Sequence, residues 1–415
     1  MTRLANGLRI VMHPRTDFHK TYAVFGTDYG SIDLTFTPIG SEQWVTSPQG
    51  VAHFLEHKLF EKKSGDVMDI YAQNGAQVNA FTTYTQTAYY FSGTDLFKDN
   101  LNLLLNFVQT PYFTEKLVEK EKPIIAQEIL MYDDAPEWKV QEILLQCLYP
   151  EHPIRYDIAG TVASIQDIDS QTLYQCYETF YHPQNMTLII SGNFDASQTL
   201  DWIMANQSQK EFVPFTGIKR YFPQENLSHI QFEQSMTMDI NSPQILLGVR
   251  GDKHHLKGRE ALKYQITMSL ALEMLFGPTS SHYEQWYLEN LIDYSFGYSY
   301  HFDRSYDYLS VGSQTEKPEY LTENIRRVLL SAAGDENMTS EHLATVLRRI
   351  KGKFIKSLNS LEFIALSFLK QSEAGATVFD QLDLMQEITL DEIRSTIDSY
   401  VNEDLMSCAT ILPQK

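Results

Sequence analysis

Between residues 51 and 60, Val51, Phe54, Leu55 and Leu59 form an apolar stripe at helical spacing, uninterrupted by proline or glycine. Ser47-Pro48 just upstream reads as an N-cap followed by proline at the first helical position. From Val78 to Tyr90 the period drops to two, with Thr and Tyr abundant, which predicts a β-hairpin. A later helix is predicted over Arg259–Phe276, where Leu262, Ile266, Leu270, Leu272 and Leu275 supply a core-facing stripe. Near the start, Asn6-Gly7 predicts a turn beside a first strand.

The tail of the chain echoes an earlier segment at a constant offset of 220 residues, pairing Ile165 with Met385, Leu173 with Ile393, Phe180 with Tyr400 and Met186 with Met406. Both stretches read as a helix, a short polar turn and an apolar strand, Met186–Gly192 in one and Met406–Leu412 in the other. The pattern predicts two copies of one α+β domain, 1–210 and 229–415, joined by a polar linker over 211–228 that contains Pro214, Gly217 and Pro223. A length of 415 residues agrees, being too long for one ordinary core.

Composition narrows the partners. A net charge of −20 argues against nucleic acid or an anionic membrane surface. No apolar run reaches the length of a membrane span, and the N-terminus lacks a signal-peptide apolar core. Cys147, Cys176 and Cys408 sit in apolar contexts without CxxC spacing, as reduced core residues of a cytoplasmic protein would.

The chemistry is concentrated in His53-Phe54-Leu55-Glu56-His57, the reverse of the commoner His-Glu-x-x-His order. On a helix, His53 and His57 are one turn apart and face the same way, so both imidazoles can grip one Zn²⁺. Glu56 lies on nearly the same face, where it can take a proton from water and pass it to a leaving amine. A catalytic zinc needs a third protein ligand. Glu121 and Glu128, two helical turns apart, are both candidates. Glu115, Glu119 and Glu121 interleave with Lys116, Lys120 and Lys122 as on a solvated face, whereas Glu128 sits among apolar Ile124, Ile125, Ile129 and Leu130 and should therefore have a partner.

Gly50-Val-Ala-His-Phe-Leu-Glu-His57, followed by Gln127-Glu128-Ile-Leu-Met-Tyr, resembles the insulinase/pitrilysin family of zinc metallopeptidases, which includes mitochondrial processing peptidase and short bacterial members. The resemblance implies Glu128, 71 residues after His57, as third zinc ligand, and Glu121 as the supporting glutamate seven residues before it. Pro123 between them is a departure and predicts a helix start or bend there. Asn79, Ala80, Phe81 and Thr82 match the family's strand beside the metal, along which an extended substrate backbone pairs. The implied fold is two similar domains, each a mainly antiparallel sheet with helices packed on it.

The second half carries no metal motif. Where many short members have an arginine and, seven residues on, a tyrosine that bind the substrate carbonyl or oxyanion, this chain has Tyr287 and Tyr294. Either a local group (Tyr287, Tyr294 or His282) donates there, or a homologous partner chain lacking the zinc motif supplies the Arg/Tyr pair. The second is favoured. The expected activity is zinc-dependent cleavage of peptides or small unfolded chains by the catalytic half of a heterodimer; the rival is a peptide-binding or assembly subunit that cleaves nothing.

Overall fold

The computed structural model describes residues 1–371 and 376–414. They form two compact units. The first contains Met1–Leu130, Tyr156–Phe222 and a late segment holding the helix Leu361–Gln371; the second contains Met131–Arg155, Pro223–Lys356 and the C-terminal helices and strand.

The main sheet of the first unit has six strands, in spatial order Thr2–Arg3, Arg9–Pro14, Met186–Gly192, Thr21–Thr27, Thr87–Gly93 and Gln77–Thr82. Every neighbouring pair is antiparallel except Met186–Gly192 with Arg9–Pro14. The two central strands are buried along their whole length because both faces of the sheet are covered. Alternate residues divide between the faces. Ala23, Phe25, Leu188 and Ile190 join the larger core with Phe54, Leu55 and Leu59, while Tyr22, Val24 and Ile189 meet Leu361, Ala365 and Leu369. The covering helix Leu361–Gln371 lies so close that a Cβ on Gly26 would come within 2.6 Å of Leu369 Cδ1. At the far edge, Gln77–Thr82 pairs on one side only, with Thr87–Gly93. This is the predicted hairpin.

The second unit repeats the plan with five strands: Glu233–Met238, Met406–Pro413, Gln244–Arg250, Tyr306–Gln314 and Gly297–Asp303, again with one parallel pair, the first. Its second face takes the helix Pro136–Leu148, whose Leu144 and Leu148 would each stand 2.9 Å from a Cβ on Gly248. The expected duplication is present. The helices Ser170–Phe180 and Leu390–Tyr400 share the 220-residue offset end to end, as do their caps, Asp169 accepting from the Thr172 amide and Thr389 from the Glu392 amide. The strands Met186–Gly192 and Met406–Pro413 begin at the same offset. The predicted helix over 259–276 is also found, as Gly258–Phe276.

Candidate metal centre

The motif helix is Val51–Phe60. Its start corrects the sequence reading: Ser47-Pro48 does not cap it. Ser47 donates from Oγ to the Leu34 carbonyl instead, and the helix begins after Gly50, which takes φ 90°. Glycine is needed there twice over, for the left-handed backbone and because a Cβ would come within 2.3 Å of the Ala159 carbonyl oxygen. Val51, Ala52, Phe54, Leu55 and Leu59 are buried in the core, which fixes the roll of the helix and so the direction of the motif.

The glutamate helix runs Glu115–Asp133 without a break at Pro123. The proline neither starts nor ends it, although it removes one rung of the backbone ladder. Ile125 and Ile129 anchor this helix in the core, whereas Ile124 and Leu130 are exposed. Two further expectations change here. Glu121 and Lys122 do not belong to a solvated face: Glu121 turns in to the motif helix, and buried Lys122 reaches Glu119 and the Gln166 carbonyl.

His53, His57 and Glu128 offer ligand atoms that all lie within 4.8 Å of one another. His53 Nε2 is 3.6 Å from Glu128 Oε1 and His57 Nε2 is 3.4 Å from Glu128 Oε2. Hydrogen bonds of this type run about 2.7–3.2 Å, so these spacings are too long for good ones. A tetrahedral metal with bonds of about 2.0–2.1 Å sets its ligand atoms roughly 3.3–3.4 Å apart, which these separations approach. Burial and the neighbouring His57 push the His53 pKa down to about 3, so this imidazole is neutral, as a ligand must be. For His57 burial works downward too, but the hydrogen bond to Glu121 and the charges of Glu128 and Glu56 outweigh it and the net shift is upward. His57 Nδ1 donates to Glu121 Oε1 at 3.2 Å, directing the other ring nitrogen at Glu128. The donor set and its spacing suit zinc.

Glu56 is held from the edge strand, where Thr82 Oγ1 donates to its Oε2 at 2.5 Å. Burial raises its pKa, and the Thr82 bond and His57 offset part of that rise. Thr82, expected as a substrate-binding residue, thus touches the expected base. Asn79 is exposed and its Oδ1 accepts from the Ala80 amide, while Ala80 and Phe81 are half-buried on opposite faces of the strand, packed against separate cores. Beside the strand's start lies a groove of about 650 Å³ lined by Tyr22, Gln77, Asn79, Tyr90, Leu361 and Glu362 among others.

The sequence profile described as Insulinase (Peptidase family M16) matches residues 35–162, and that of the Peptidase M16 inactive domain matches residues 167–350. The chain belongs to the M16 insulinase family. The M16 chain is 41% identical over 412 residues to the uncharacterized zinc protease YmfH of Bacillus subtilis, covering 99% of this chain and 96% of that one. It is 27% identical to a second uncharacterized zinc protease of that organism, YmxG, over 87% of this chain and 85% of the other. The crystal structure of an M16-like peptidase from Alicyclobacillus acidocaldarius matches with a TM-score of 0.93 at 37% identity, over 100% of this chain and 97% of that one. A Helicobacter pylori protease shares the fold, with a TM-score of 0.85 at 18% identity over 99% and 98% of the two chains. The resemblance carried by His53–His57 and Gln127-Glu128 is thus borne out.

Tyr287 and Tyr294 of this M16 chain lie in the second unit with side chains in solvent, 56% and 93% exposed, and Tyr287 stacks on Tyr283. His282 is occupied by Asp335 at 2.7 Å. Among the described residues no helix is long and apolar enough to cross a membrane. Sequence reasoning missed Lys58. It is 0% exposed and pairs with Glu121 and Glu61. The signal was available, since Lys58 falls on the apolar stripe one turn after Phe54, where a lone ammonium is costly.

Proposed function

We propose that this chain is a zinc-dependent endopeptidase acting on peptides or small unfolded polypeptides, and that it is the catalytic subunit of a heterodimer. The observation that carries the reading is the convergence of His53, His57 and Glu128 within 4.8 Å, with Glu56 on the same helix held by the edge strand. Bound Zn²⁺ supplies Lewis acidity toward the scissile carbonyl and makes nearby water more acidic. Glu56 takes a proton from the attacking water and delivers it to the amine nitrogen as the C–N bond breaks. Thr82 occupies Oε2 of Glu56, which leaves Oε1 for that proton. Glu121 holds His57 in one tautomer. The open side of Gln77–Thr82 presents backbone donors and acceptors that hold an extended peptide irrespective of its sequence.

Peptide hydrolysis also calls for a donor to the developing oxyanion, best a cationic one. Tyr287 and Tyr294 bring no charge, and this favours a homologous partner that supplies the Arg/Tyr pair. Three buried, unpaired cysteines favour a reducing compartment, and we assign the reaction to the cytoplasm. The test is metal content and cleavage of quenched peptides by the purified chain, alone and with a homologous subunit lacking the motif. Stoichiometric zinc with activity only in the mixture is expected. Glu56→Gln should keep zinc and abolish cleavage; a Glu56→Gln chain that still serves its biological role would favour the peptide-binding reading.

A further inference from the structure

We infer that Lys58 is a positioning residue of the metal site, acting on His57 through Glu121; the inference rests on the zinc reading above. Lys58 follows His57 directly and projects into the apolar side of the motif helix, where it is fully buried. Two carboxylates flank its Nζ there, Glu121 Oε2 at 3.1 Å and Glu61, itself held by Lys120 at 3.3 Å. The bond to Glu121 has a geometric effect. One oxygen of that carboxylate accepts from Lys58 and the other from His57 Nδ1 at 3.2 Å, so both are occupied and the carboxylate plane is fixed.

This matters because the two histidines are supported unequally. His53 Nδ1 is buried and has no hydrogen-bond partner among the described residues, so that ring lacks the second carboxylate that orients His57. The oriented support of the ligand set comes through His57, and it originates at Lys58. Without the ammonium, one oxygen of a largely buried carboxylate loses its partner. Glu121 then rotates or draws away, and the His57 ring is released to its other tautomer, in which Nε2 carries the proton and its lone pair no longer faces Glu128.

The test is a thermodynamic cycle on the full chain. Zinc dissociation constants of the wild type, Lys58→Met, Glu121→Gln and the double variant are measured by competition with a chromophoric chelator. Each single variant is expected to bind about 10–100-fold more weakly, and the double variant no more weakly than Glu121→Gln alone. Losses that multiply in the double variant would overturn the inference, since Lys58 would then act independently of Glu121; so would wild-type affinity in Lys58→Met. A wild-type chain that binds no zinc would instead sink the metal reading itself. The ¹⁵N shifts of His57 in metal-free protein give a second readout that mere loss of stability does not move. The Nδ1-protonated tautomer is expected in the wild type and a mixture in Lys58→Met; an unchanged tautomer would count against the inference. If Lys58→Met does not fold, Lys58→Gln takes its place in both measurements.

Discussion

Replacing Thr82 by valine separates two roles for one residue. The family strand assigns Thr82 to the substrate backbone, whereas its hydroxyl donates to Glu56 Oε2 at 2.5 Å. Valine preserves the shape of the side chain and deletes only the donor. A hydrogen bond to a charged acceptor contributes about 1.5–3 kcal/mol. Thr82 is half-buried, so water replaces part of the lost bond, which leaves about 1–2 kcal/mol. If Glu56 needs that bond to stay in position for proton transfer, kcat falls roughly 5–30-fold, since about 1.4 kcal/mol corresponds to tenfold. KM should stay within about twofold, because the strand's backbone is unchanged. Steady-state kinetics on a quenched peptide, using whichever assembly is active, give both numbers. A rise in KM with kcat intact would refute the reasoning and return Thr82 to substrate binding.

Other expectations follow from the same geometry. Glu128→Gln should abolish stoichiometric zinc, and chelator should then leave its melting temperature unchanged while lowering that of the wild type, as ligand linkage requires; equal chelator shifts in both would remove Glu128 from the ligand set. Tyr90→Ala should raise KM for peptides long enough to reach the groove beside Gln77 and Asn79, and leave short peptides unaffected; a uniform loss would point to general damage. Burial pushes the Lys210 pKa down to about 7, although its ammonium donates to the Leu105 carbonyl and to Gln109. The folded-state value is below that of the unfolded chain, so between about pH 7 and 10 the unfolded chain binds more protons and this group makes stability rise with pH. Urea midpoints at pH 7 and 9 should therefore differ less in Lys210→Met than in the wild type; identical differences would mean that Lys210 is not desolvated.

The metal motif was legible because its chemistry demands a fixed spacing on a helix, and the spacing survives in one dimension. The duplication was legible through helix and strand ends that keep one offset, down to the capping residues Asp169 and Thr389. What failed depended on neighbours far along the chain. Ser47-Pro48 has good local capping chemistry, but the Leu34 carbonyl claims the serine and the Ala159 carbonyl crowds Gly50, so the helix begins three residues later. Glu121 and Lys122 have the composition of a solvated face, and only the approach of the motif helix and of Gln166 turns them inward. The contact of Thr82 with Glu56 was likewise out of sight, because nothing in its own strand reveals that Glu56 lies beside it.

The two helices that cover the second faces of the sheets have a consequence for how the protein comes into being. Val11, Tyr22, Val24 and Ile189 of the first unit are buried against Leu361, Ala365 and Leu369, which are synthesised some 170 residues after the last strand of their sheet. A nascent chain released as far as residue 210 would display that apolar sheet face to water, together with the helix Pro136–Leu148, whose own sheet does not yet exist. The ancestral repeats have thus ceased to be separable modules, and neither half, cut at the 211–228 segment, carries its own lid. For the activity proposed above this imposes a delay. His53, His57, Glu128 and Glu56 have all been synthesised by residue 128, but the sheet beside them is not covered on both faces until Leu361, Ala365 and Leu369 have followed, so the proposed activity would have to wait for that later helix.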